Sequence, residues 1–192
     1  FDGTIIQLPD DINIGSNGLM NEGIISTQLG LPGKPAMAEE LMVARDIKLA
    51  RYTESKLHFT GITSAKSLEY IKRAKESGIS ITCSVTPYHL FFTDEAMKDY
   101  DTNLKVNPPL RIETDRQALL KGIADGTVDC IASHHFPQNW DGKTCEFEYA
   151  KEGMIALQIM LPLMLQVNTT LKPEQWISFF TTHPTDILQL KK

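Results

Sequence analysis

The chain has 192 residues, 42% of them apolar and 22% charged, which is the make-up of an ordinary globular domain and excludes a disordered or fibrous one. Nineteen Lys and Arg against 24 Asp and Glu leave a formal net charge of −5, so neither nucleic acid nor an anionic membrane is expected as a partner. No apolar run approaches the ~20 residues that span a bilayer, and three cysteines without CxxC spacing point to a reduced, cytoplasmic protein with no disulfide framework.

The first residue is Phe1, and 2–6 reads as a strand already under way, so the chain is expected to be a piece of something longer. Residues 4–8 form that strand, which ends on the polar turn Pro9-Asp10-Asp11. The Gly- and Asn-rich stretch 12–33 lacks periodicity and reads as a long irregular loop of the kind that carries function. Lys34-Pro35 opens a helix, with Ala38, Leu41, Met42, Arg45, Leu49 and Tyr52, widened by Ile47 and Ala50, as its expected buried stripe. Residues 56–62 read as a strand, Ser64 as the cap of a helix over 65–77, and Gly78 as its end. Residues 79–85 are nearly all apolar or small, the pattern of a strand buried on both faces.

Thr86-Pro87 breaks that strand; 91–107 is irregular and partly helical, and Asn107-Pro108-Pro109 fits neither a helix nor a central strand. A helix over 114–124, a strand over 128–133, a loop over 134–149 and a buried helix over 153–165 follow. Helices over 174–180 and 185–190 complete the chain. Strand and helix alternate four times without a hairpin signal, which predicts an α/β fold with a parallel sheet, doubly wound or part of a (β/α)8 barrel. In either, chemistry sits at the carboxyl ends of the strands. Neither GxGxxG nor GxxxxGK[ST] occurs, so a nucleotide-binding version has no support.

The candidate residues lie at those strand ends. His134-His135 offers a metal ligand or general base, or else a polar pair on the rim. His89 is a second ligand or a partner for loop backbone, and His58, in mid-strand, is expected to pack between sheet and helix. His183, in the C-terminal tail, reads as a surface residue or a helix cap. Asp10-Asp11 suits either a divalent cation or a solvated turn. Asn107 and Arg111, flanking the double proline, are placed to grip a carboxylate or an amide, while Cys83 and Cys130 read as small core residues.

These residues also fall into a familiar order. The run 20–23 (MNEG), then 29–35 (LGLPGKP), 38–40 (AEE) and 45–50 (RDIKLA) resembles the bacterial dihydroorotases of the amidohydrolase superfamily. Residues 57–59 (LHF), 86–90 (TPYHL), 105–111 (KVNPPLR) and 125–132 (DGTVDCIA) continue the match. The resemblance implies that 1–192 is the C-terminal part of a (β/α)8 barrel, about strands five to eight, metal-dependent hydrolase-like in fold. It implies interconversion of N-carbamoyl-aspartate and dihydroorotate in pyrimidine biosynthesis, with one or two zinc ions making hydroxide available near pH 7.

The same resemblance exposes departures. Leu8 stands for the strand-five histidine and Gly61 for the strand-six histidine. His134 replaces the strand-eight aspartate, a metal ligand and proton shuttle in the family, and Gln138 replaces a histidine that holds the substrate carboxylate. Glu152-Gly153 stands where Phe-Gly touches the pyrimidine, and only Asn107 survives as a substrate contact. The leading expectation is therefore a pseudoenzyme: zinc not bound by this chain, Asn107, Gln138 and Gly153 vestigial, and a role in assembly with aspartate transcarbamoylase or as a homo-oligomer. Two others stay open: an active dihydroorotase with a site rearranged around Asp10, His89, His134 and His135, or another amidohydrolase activity. Four barrel strands with open edges are not expected to form a stable monomer alone.

Overall fold

Four short strands form one parallel sheet whose order follows the chain: β1 (Ile5–Gln7), β4 (Leu57–Phe59), β5 (Ile81–Val85) and β6 (Cys130–Ile131). The computed structural model describes residues 3–167 and 171–190, so the expected participation of residue 2 in the first strand lies outside the described residues. The helices between those strands are α2 (Met37–Thr53), α3 (Ala65–Glu76) and α5 (Glu113–Ala124). Adjacent parallel strands joined by crossover helices are the arrangement of part of a (β/α)8 barrel, as expected.

The register aligns Ile6 with His58 and His58 with Thr82, so these three side chains share a face. Leu57, Phe59, Ile81, Cys83 and Val85 point the other way, into the main core with Leu68, Ile71 and Ala74 of α3 and Leu119 and Ile123 of α5. The burial of Phe59 and Ile71 is complete. The outer face of the sheet is thus apolar, and the inner face carries the polar His58, Thr82 and Ser84 beside Ile6 and Cys130. The expected burial of β5 on both faces is found for all but the half-buried Thr82, with Thr82 and Ser84 turned inward.

Helix α3 keeps the bounds and cap read from sequence, with the Ser64 hydroxyl accepting from the amides of Lys66 and Ser67. Helix α2 has its long axis where expected but turns a different face inward. It buries Ala38, Glu39, Val43, Asp46 and Ala50, and leaves Leu41, Leu49 and Tyr52 exposed. The burial of Glu39 explains the rotation: its carboxylate accepts from the amides of Thr63 (3.1 Å) and Ser64 (3.0 Å) and from the Thr63 hydroxyl. A fully satisfied carboxylate at the entrance of α3 draws that face inward where an apolar count alone does not.

The stretch read as an irregular loop contains β2 (Met20–Asn21), α1 (Ile24–Leu29) and β3 (Gly33–Lys34), with β2 and β3 paired in parallel. Together with α4 (Pro87–Phe91) and the 142–157 segment they build a second apolar cluster over the carboxyl ends of the strands, centred on Met20, Tyr88, Val106, Leu110 and Phe147. The helix expected from 153 begins later, as α6 (Met160–Gln166). Residues 153–157 are kept from the helix because the carbonyl of Met154 accepts from Phe136 N, and the amides of Ala156 and Leu157 donate to His135. Helices α7 (Pro173–Phe180) and α8 (Thr182–Ile187) end the described chain. Trp176 and Phe179 seat α7 in the main core, and His183 donates from Nδ1 to the Asp129 carbonyl at 2.7 Å.

Candidate functional site

The inner face carries one continuous line of hydrogen bonds. His58 Nδ1 lies 2.8 Å from the Thr82 hydroxyl and Nε2 lies 3.1 Å from Ser84 Oγ. Ser84 donates to Thr60 Oγ1 at 3.1 Å, and Thr60 Oγ1 lies 2.8 Å from His134 Nε2. One proton assignment satisfies every link: Thr82 donates to His58, which donates to Ser84, which donates to Thr60, which donates to His134. Both imidazoles are then neutral. Burial pushes the His58 ring down to about 4 and lowers that of His134 as well. The expectation that His58 packs between sheet and helix is thereby corrected, because strand alternation sends it inward while its neighbours Leu57 and Phe59 meet α3.

At the end of β5, Thr86 caps α4 and orients His89. The Thr86 oxygen accepts from His89 N at 3.3 Å and lies 2.7 Å from Nδ1. His89 Nε2 reaches the carbonyls of Pro108 (3.1 Å) and Pro109 (3.2 Å), so the ring ties the double-proline loop to the sheet. Burial, reinforced by the nearby Arg111 charge, pushes it down to about 3, and both nitrogens are committed. His135 is engaged through Nδ1, which accepts from two backbone amides of the 153–157 strap.

Asn107, the one substrate contact kept in the resemblance, is engaged by its own chain. Its Oδ1 accepts from Lys34 Nζ at 3.0 Å and its Nδ2 donates to Asp10 at 3.3 Å, while Lys34 and Asp10 pair at 2.6 Å. Asp11 closes a turn by accepting from Asn13 N. Arg111 is buried and bonds to Thr63, Asn21 Oδ1 and the Lys34 carbonyl, which makes it a strut between β3 and α3. Gln138 donates to the Glu152 carbonyl at 2.8 Å. Gly153 sits at φ 128 with no room for a side chain against the Phe136 carbonyl. Both line a cavity of about 440 Å³ with Phe92, Trp140 and Lys143. Glu39 and Lys34 are the anchors that sequence reasoning passed over, and their place in the AEE and GKP runs is the signal that was available.

The zinc implied by the resemblance does not fit these residues. Leu8 and Gly61 have no donor atom. His134 Nε2 is occupied by Thr60. Among the described residues, no three His, Cys, Asp or Glu side chains gather closely enough to share an ion. The Cys83 and Cys130 thiols are buried and raised, the latter to about 12, and behave as the core residues expected. Among the described residues, no helix is long and apolar enough to cross a membrane.

No family model matches the chain. It is 40% identical over 197 residues to the dihydroorotase of Acetivibrio thermocellus, covering all of this chain and 46% of that protein. It is 41% identical over 194 residues to that of Syntrophus aciditrophicus, again with full cover of this chain and 46% of the relative. The chain therefore spans a little under half the length of the curated relatives it matches. Among solved structures, the L-hydantoinase of Arthrobacter aurescens superposes with a TM-score of 0.83 at 19% identity, over 97% of this chain and 43% of that one. The dihydroorotase of Saccharomyces cerevisiae, in complex with 5-fluoroorotic acid, gives 0.69 at 20% identity, over 81% and 44%. The partial-barrel reading of the fold is thereby supported by superposition of most of this chain on under half of each neighbour, as well as by strand order.

Proposed function

The chain is a relative of the dihydroorotases, and from that premise we propose that it is a non-catalytic member of the family, cytoplasmic, whose role is assembly. The observation that carries this reading is the state of the three strand ends where the resemblance puts metal chemistry. Leu8 and Gly61 cannot ligate, and His134 is tied to Thr60. A zinc-bound hydroxide needs a set of converging donors and a carboxylate to move its proton. Burial keeps the imidazoles of His58, His89 and His134 neutral, and His58, His89 and His135 are bonded to hydroxyls or to backbone.

The assembly role draws on the surface. Helix α2 presents Met37, Leu41, Leu49 and Tyr52 outward, the last 88% exposed, beside Ile5 and Ile6 on the unpaired edge of β1. An open strand edge next to an apolar helix face is a surface that association covers. In this reading the residues 1–192 are the C-terminal part of an amidohydrolase-type barrel domain, the remaining βα units complete the sheet, and aspartate transcarbamoylase or a second copy is the partner.

The intact protein is assayed for carbamoyl-aspartate cyclisation and for bound zinc. No turnover and substoichiometric zinc are expected. Stoichiometric zinc together with turnover would falsify the proposal. Gel filtration with and without aspartate transcarbamoylase tests the partner, and Leu49→Lys should weaken any complex that forms.

A further inference from the structure

We infer that Gly61 and His134 form an interlocked pair, in which the His134 imidazole fills the volume that any side chain at position 61 would need. The inference deepens the non-catalytic reading and rests on it only for the meaning of position 61; the geometry stands by itself. Gly61 follows β4 at φ +71, a backbone region that glycine enters freely and other residues enter at a cost. A Cβ placed there would collide with His134 Cε1 and would lie 3.1 Å from both ring nitrogens. The ring is therefore seated against the Gly61 backbone, where the strand-six side chain would begin.

The ring cannot swing aside freely. Its Nε2 is held by the Thr60 hydroxyl at 2.8 Å, and Thr60 is held by Ser84. His134 itself sits at φ 43, an uncommon conformation for a residue with a side chain, so its backbone is set to deliver the ring at this spot. The two substitutions thus depend on each other. The imidazole at 134 occupies the space beside Gly61 and bonds to the adjacent Thr60, so a side chain placed at 61 has to displace the ring. Position 61 is blocked by the ring and made costlier by its backbone, which strains most side chains without excluding them.

A double-mutant cycle on the intact protein separates the two effects. Gly61→Ala, His134→Ala and the double variant are compared by thermal midpoint. Gly61→Ala is expected to lower the midpoint by about 5 °C or more, and by less than half as much in the His134→Ala background. Gly61→Asn, whose side chain tolerates positive φ, forms a second arm in which the clash outweighs the backbone strain. If Gly61→Ala yields no folded protein, recovery of folding on adding His134→Ala supports the pairing. Equal drops in both backgrounds, in either arm, overturn it. Turnover by the unsubstituted protein would overturn the non-catalytic reading and leave this comparison untouched, whereas equal drops would remove the pairing and leave that reading standing.

Discussion

The two faces of the sheet differ in chemistry and in what they hold. The outer face sets Leu57, Phe59, Ile81, Cys83 and Val85 against three helices in a core without polar demands. The inner face sets His58, Thr60, Thr82 and Ser84 against one another and ends on His134. One side is held by burial, which is non-directional and proportional to area, and the other by a line of bonds in which each group has an assigned partner. The difference teaches where change is tolerated. An apolar core accepts volume-conserving swaps, whereas a line of neutral imidazoles and hydroxyls must be altered in matched steps.

The largest effect is expected on the outer face. Phe59→Ala should cost about 3–5 kcal/mol of unfolding free energy, since a fully buried ring leaves a cavity among Leu68, Ile71 and Val85. Denaturant unfolding of the intact protein checks it, and a loss under about 1 kcal/mol would show that the core is far looser than drawn. On the inner face, His58→Ala should cost about 1–3 kcal/mol, the penalty for depriving the half-buried Thr82 hydroxyl and the buried Ser84 hydroxyl of one bond each. A loss matching that of Phe59→Ala would erase the contrast between the faces.

Acid should reach the inner face first. His58 and His89 are held at about 4 and about 3 in the folded chain, below the 6.5 of a free imidazole. The unfolded chain therefore binds protons before the folded one does, so stability is full above pH 6.5 and falls as pH drops from 6.5 toward 4. Thermal midpoints measured across that range should fall with pH, and His58→Gln should flatten part of the slope. A flat wild-type profile would contradict the neutral, buried assignment. The smallest effect is expected outside both faces: Tyr52→Lys should leave folding stability within about 0.5 kcal/mol while changing the size of any assembly.

How much of this could be read from the residues varies along the chain. Helix α3 was legible to its cap, because Ser64, the apolar spacing of Leu68 and Ile71 and the closing Gly78 act within a few residues of one another. Helix α2 was legible in extent and misread in orientation. Its buried face is decided by Glu39 meeting amides at the start of α3, contacts 24 and 25 residues away in the chain. The non-helical strap at 153–157 misled in the same way, its helical propensity overridden by bonds to His135 and Phe136.

At the site, the sequence by itself determined the family and the substitutions at Leu8, Gly61, His134 and Gln138, because a motif is a string and its losses are visible position by position. What replaced the lost groups is a matter of space, and only the tertiary structure decided it. It turned His58 inward, bound Asn107 to Lys34 and Asp10, and laid the His134 ring over Gly61. The physical reason is that 73 residues separate Gly61 from His134 along the chain, and only the fold carries the loop after β6 across β5 to the end of β4.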